Sequence, residues 1–138
     1  MLIVAFVSLD VISFSVTSIT YRGEPSSICS VHVLAQAQRL LGRILGALRN
    51  FLQAEGYFRL ALETSRDYGM HLEYAQAQSC FGEALLQQQS PTEEQLQQGI
   101  TYLKEAYETF AERYAVIDLE RVKRILSKDV HIFPDKER

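Results

Sequence analysis

Three histidines, His32, His71 and His131, and two cysteines, Cys29 and Cys80, are the residues of this chain best suited to metal binding or nucleophilic work. A zinc or catalytic centre needs several such groups converging at ligand spacing. His32 falls near a helix start, His71 in a turn between helical segments and His131 in the carboxy-terminal tail, none spaced for metal binding from another His, Cys or acid. Cys29 and Cys80 are 51 positions apart with no Cys-x-x-Cys. They read as two reduced thiols, Cys80 packed in a helix and Cys29 uncommitted, rather than as a disulfide or zinc framework. Glu93-Glu94 is the one pair of adjacent acids that invites a general acid/base reading. Neighbours on a helix point apart, and first-turn acids are favoured by the helix dipole, so the pair marks a helix start.

Phosphate chemistry fares no better. Gly42 and Gly46 lie within a helical pattern and lack the Gly-Lys-Ser/Thr ending of a phosphate loop, and there is no Gly-x-Ser-x-Gly elbow. Arg121, Lys123, Arg124 and Lys128 form a basic run that reads as a solvated face near a helix carboxy terminus, where cations offset the dipole. Tyr57, Phe58, Tyr102, Tyr107, Phe110 and Tyr114 read as packing residues rather than stacking platforms for bases. No catalytic group, metal or cofactor is expected, and the chain is not expected to be an enzyme.

The bulk of the chain agrees. With 138 residues, 47% apolar and 22% charged, it suits one globular domain with a real core. A net charge of −3 gives no electrostatic footprint for nucleic acid. Residues 1–29 form an amino-terminal extension with conflicting signals. Leu2-Ile3-Val4-Ala5-Phe6-Val7 resembles an anchoring or secretory run, but no Lys or Arg precedes it, and Asp10 and a cluster of Ser and Thr break it. Val11 to Thr17 alternates apolar and hydroxyl residues as a strand does, and Arg22 to Ser27 reads as a loop. A strand or hairpin against the helices, a weakly ordered leader, and a membrane anchor or signal peptide at 1–21 all remain open. A cytoplasmic protein is expected, with a membrane attachment the lesser reading.

From Ser30 the chain repeats itself. Ala35-Gln36-Ala37-Gln38 with Gly42 and Leu45 recurs as Ala75-Gln76-Ala77-Gln78 with Gly82 and Leu85, an offset of 40. Phe58-x-x-Ala61-Leu62-Glu63-Thr64 recurs as Leu103-x-x-Ala106-Tyr107-Glu108-Thr109, an offset of 45. Five residues have therefore entered the second unit around Gln87 to Glu93, where Ser90 as cap, Pro91 at the first helical position and Glu93 make a Ser-x-x-Glu capping box. Hydrophobic spacing then predicts five helices: Val31 to Arg49, Phe51 to Tyr68 ended by Gly69, His71 to Gln89, one starting near Pro91, and Val116 to Ser127. The fourth carries the stripe Leu96, Ile100, Leu103, Tyr107 and Phe110; the fifth carries Ile117, Leu119, Val122, Ile125 and Leu126. Residues 129–138 read as a polar tail in which Pro134 bars further helix.

Leu41, Gly42, Ala54, Phe58 and Ala61, with Phe81, Gly82, Leu103 and Ala106 in the second unit, resemble the tetratricopeptide repeat over about 35–126. The unit is similar to the forty-residue repeats in the carboxy-terminal arrays of large bacterial signalling proteins and transcriptional regulators. Ala61-Leu62-Glu63 through Gly69-Met70-His71-Leu72 carries that likeness, as does Tyr102-Leu103-x-x-Ala106 through Phe110 with Asp118 to Val122. An aromatic before the first leucine and a proline closing each unit are missing. The resemblance implies an all-α fold over 30–128, antiparallel hairpins stacked as a short right-handed α-solenoid. It also implies a concave groove for a protein or peptide, lined by Gln36, Arg39 and Arg43 in the first unit and Gln76, Ser79 and Glu83 in the second. Arg39 and Arg43 would then anchor an acidic group of the partner. A small-molecule-sensing regulatory module and a membrane-tethered adaptor are the other readings. Two hairpins and one further helix are few for such a stack, so a fragment of a longer array or self-association is in view.

Overall fold

The computed structural model describes residues 27–129. Every element in them is helical: α1 (Ser27–Ala47), α2 (Phe51–Asp67), α3 (His71–Gln87), α4 (Glu93–Glu112) and α5 (Val116–Asp129). The readings made for residues 1–26, for His131 and for the polar tail lie outside the described residues. Helix α1 begins at Ser27, four residues ahead of the expected start and inside the segment read as loop and extension.

Three of the four helix junctions share one device. After α1, α2 and α4 the chain enters the left-handed region at Arg49 (φ 61°), Gly69 (φ 65°) and Tyr114 (φ 57°). At each, the following amide reaches back five residues: Asn50 to Leu45 O at 2.9 Å, Met70 to Ser65 O at 2.8 Å, Ala115 to Phe110 O at 2.9 Å. This closes the orphan carbonyls at the helix end and turns the chain into the next helix within three residues. Gly69 adopts the left-handed region without steric cost, whereas Arg49 and Tyr114 do so against a Cβ. It also corrects two expectations: α1 stops at Ala47 because Arg49 cannot be helical, and Tyr114 is held out in solvent rather than packed.

The fourth junction, α3 to α4, carries the extra residues. Ser90 and Pro91 do not cap α4; Thr92 does, accepting from the Gln95 amide at 3.2 Å while Gln95 Oε1 accepts from the Thr92 amide at 2.9 Å. The capping box thus sits two residues later than expected. Gln95 is preferred because the same Oε1 also accepts from Gln88 Nε2 at 2.7 Å, tying the start of α4 to the end of α3. Helix α3 accordingly ends at Gln87 rather than Gln89.

Within each pair the helices run antiparallel. Thr64 Oγ1 donates to Gln38 Oε1 at 2.9 Å and Gly42 faces Phe58, so a step forward on α1 matches a step back on α2. Gln78 Nε2 donates to Glu105 at 2.6 Å and Gly82 faces Gly99, giving α3 and α4 the same relation. The repeated second glutamine of Ala-Gln-Ala-Gln is therefore a cross-hairpin hydrogen bond in both units. Helix α3 also packs on α1 and α2, and α5 packs on α4 and α3.

The core falls into two clusters. Phe58, Phe81, Leu45, Leu62 and Cys80 pack with Ala54, Ala61 and Ala77 between α1, α2 and α3; Leu103, Ala106, Phe110, Val122 and Leu126 pack with Ala75 between α3, α4 and α5. Leu41, Gly42 and Gly82 are buried as well. Ile117, expected on the packed stripe of α5, lies almost wholly in solvent, because α5 turns Leu119, Val122 and Leu126 inward instead.

At Gly82 the backbones of α3 and α4 approach tightly: a Cβ there would lie 2.8 Å from Gly99 O and 2.9 Å from Leu103 Cγ. The first is backbone and cannot yield without parting the helices. Gly82→Ala is expected to lower stability by about 1–2 kcal/mol, overpacking outweighing the better helix propensity of alanine. Gly56→Ala, which meets nothing within 4 Å in exposed α2, is its control and should raise stability by about 0.5–1 kcal/mol. Chemical denaturation of both variants checks the pair.

Among the described residues, one buried side-chain polar atom has no partner. Ser65 Oγ, in α2, makes no hydrogen bond although the residue is fully buried. An orphaned hydroxyl is costly and serine is a poorer helix former than alanine. Ser65→Ala is expected to stabilise the fold by about 1 kcal/mol, read as a higher denaturation midpoint at unchanged slope.

Candidate binding face on α1, α3 and α5

The first helix of each unit carries the polar residues that the resemblance assigned to a groove. Helices α1, α3 and α5 touch in series, and polar pairs bridge them. Arg39 Nε donates to Glu73 Oε1 at 2.8 Å, linking α1 to α3. Gln76 Nε2 reaches Asp118 Oδ2 at 3.5 Å, and Arg121 donates to Glu83, linking α3 to α5. Arg121 also lies 3.8 Å from Cys80 Sγ. Asp118 stands 45 positions after Glu73, so the same place on two successive helices holds a carboxylate turned onto the helix before it.

These contacts correct several expectations. Arg39 is committed to Glu73, which is only 3% exposed, and so is not a free anchor for a partner. Ser79 is buried, its hydroxyl donating to Gln76 O at 2.9 Å within its own helix, and cannot meet a ligand. Gln36 is half-buried and bonded to His32 at 3.0 Å. Arg121, read as part of a solvated basic face, is instead folded onto α3; Lys123, Arg124 and Lys128 remain in solvent. Burial by itself lowers the pKa of both paired guanidiniums. The hydrogen bond and charge of Glu73 at Arg39, and the contacts with Cys80 and Glu83 at Arg121, outweigh it and leave both above the ordinary arginine value. Both are therefore fixed cations.

What remains available is Arg43. It lines a half-open cavity of about 710 Å³ between the end of α1, the α1–α2 junction and the end of α3. Arg49 joins it, with Phe58 and Cys80 on the floor and Glu83 and Gln87 on the α3 side. Glu83 is already engaged by Arg121 and by Gln87 Nε2 at 3.2 Å. The Arg43 and Arg49 side chains are exposed, and among the described residues neither guanidinium makes an ion pair or hydrogen bond. The cavity thus offers two uncommitted cations, amide donors and an apolar floor, an arrangement suited to a carboxylate next to an apolar group.

Of the six groove residues expected, two line the cavity, Arg43 and Glu83, and the other four do not. Arg49 and Cys80 were missed as lining residues. Nothing local marks Arg49 or Cys80 as facing a cavity. Among the described residues no group of three or more His, Cys, Asp or Glu could hold a metal ion, and no helix is long and apolar enough to cross a membrane. Compared with protein-family models, with curated proteins and with solved structures, the chain matches none.

Proposed function

We propose that the chain is a non-catalytic interaction module, a short right-handed helical-repeat stack of the tetratricopeptide type, that takes an acidic peptide segment of a partner protein at the α1–α3 end of its polar face. Arg43 and Arg49 are the residues that hold the acidic group. The observation that carries this reading is the pair of uncommitted arginines over an apolar-floored cavity, on a face where Arg39 and Arg121 are already paired with Glu73 and Glu83. The repeat reading rests on the recurring left-handed junction and on α5 standing to α3 as α3 stands to α1. A place in a signalling array follows from the resemblance alone.

Panning a displayed random-peptide library against the full chain tests the proposal. Enriched sequences should carry Asp or Glu beside an apolar residue, and Arg43→Glu with Arg49→Glu should weaken their binding at least about tenfold, one charge-assisted contact being worth that much. Enrichment without acids, or binding indifferent to the double substitution, contradicts it. The size of the cavity also favours a second reading, a small-molecule-sensing regulatory module, since about 710 Å³ lies within the range of small-ligand sites. That reading predicts a thermal shift with a small organic carboxylate and no peptide enrichment.

A further inference from the structure

Helix α1 has two apolar faces, and the described residues cover only one. Val31, Ala35, Leu41 and Leu45 are buried, while Val33, Leu40, Ile44 and Leu48 on the opposite side are 55%, 47%, 51% and 60% exposed. A helix apolar on both sides is one that is covered on both sides. The internal repeat identifies what this face corresponds to. At the offset of 40, Val33, Ala37, Leu40 and Ile44 match Glu73, Ala77, Cys80 and Ala84 of α3. Those four lie against the preceding hairpin: Glu73 meets Arg39, Ala77 and Cys80 belong to the cluster around Phe58, and Ala84 lies near Gly46. The bare face of α1 is thus continuous, in repeat register, with an interface the fold already uses.

The residues on that face rule out a further hairpin of the same kind as its occupant. Val33 stands where Glu73 and Asp118 present a carboxylate to the preceding helix. Leu40 and Ile44 stand where the small Cys80 and Ala84 allow α1 and α2 to approach closely. What they form instead is a seam. Val33, Ala37, Leu40, Ile44 and Ala47 recur at alternating spacings of four and three, the pattern by which one helix packs along another, and none carries a charge that would repel a second copy. Arg43 borders the seam and remains solvated.

We propose that this seam is a self-association surface, occupied by α1 of a second copy of the chain in a two-fold symmetric pair. From Val33 to Ala47 it runs about 21 Å along α1, at 1.5 Å per residue. Such a contact falls short of the roughly 800 Å² per partner of a standard stable interface, so the pair is weak and forms with rising concentration.

Sedimentation of the full chain across the micromolar range tests this. The mass should rise from the 15.7 kDa of one chain towards twice that. Leu40→Glu with Ile44→Glu should hold it at one chain while leaving the thermal melt of dilute protein unchanged, and Val33→Lys alone should shift pairing to higher concentration. A wild-type chain that stays single throughout overturns the proposal, as does a doubly substituted chain that still pairs. A single wild-type chain whose melt falls on substitution also overturns it, because the seam is then covered from within the same chain.

Discussion

Phe81→Ala is expected to remove about 4 kcal/mol of stability, the largest single effect in the molecule. Phe81 is fully buried where α2, α3 and α4 meet. Its ring stacks on Phe58 at 5.4 Å and 18° and tilts against Tyr102 at 5.2 Å, and the Arg59 guanidinium lies 5.6 Å from its centroid. Truncating a buried phenylalanine to alanine costs about 3–5 kcal/mol through lost transfer energy and the cavity left behind. The aromatic pairs add about 0.5–1.5 kcal/mol each beyond area. Collapse around the void is obstructed on one side by the Gly82–Gly99 contact, where the backbones of α3 and α4 already approach tightly. A domain of this size has a total stability of about 5–15 kcal/mol, so the substitution removes a large share of the margin. Far-ultraviolet circular dichroism with urea titration reads this directly. A loss below about 2 kcal/mol would mean that the three-helix junction is not the centre of the core.

Arg39→Met is expected to cost about 3 kcal/mol, for a different reason. It leaves the Glu73 carboxylate, with 2% of its side chain exposed, without the cation that faces it. Removing one member of a buried pair costs about 3–5 kcal/mol, mostly the penalty of stranding the other charge. The Arg39 side chain keeps 15% exposure, which places the expectation at the lower end. Removing both charges should be far milder. Arg39→Met with Glu73→Leu is expected to recover most of the loss, because a buried pair contributes little against apolar groups of similar size. The double-mutant cycle isolates the coupling. If the double variant is as unstable as Arg39→Met, the deficit arises from packing of the arginine stem and not from the stranded carboxylate.

The two largest effects differ in how far the sequence announced them. Phe58 and Phe81 were legible as core because large and small residues recur at fixed separations in both units, and Gly42 and Gly82 marked the close approaches. Gly69 was legible as a stop because its residue type fits a left-handed φ. Arg49 and Tyr114 perform the same turn with ordinary side chains, so nothing local betrays them. The α4 cap fell at Thr92 rather than Ser90 because two overlapping capping boxes were available. A contact from Gln88, across the junction, favours the later one. The face was least legible. Which arginines are free depends on which carboxylates lie on the neighbouring helix, and that is a property of stacking, not of spacing within one helix. The register of Asp118 with Glu73, 45 positions apart, is the trace of that pairing in the sequence.

The most direct test of the binding account is hydrogen–deuterium exchange of the full chain with and without an acidic peptide selected by panning. Added protection is predicted at the end of α1, through Arg49 and the α1–α2 junction, and over the second half of α3, with α4 unaffected. Protection confined to α4, or to the outward seam of α1, would contradict the assignment of Arg43 and Arg49 as the residues that hold the partner.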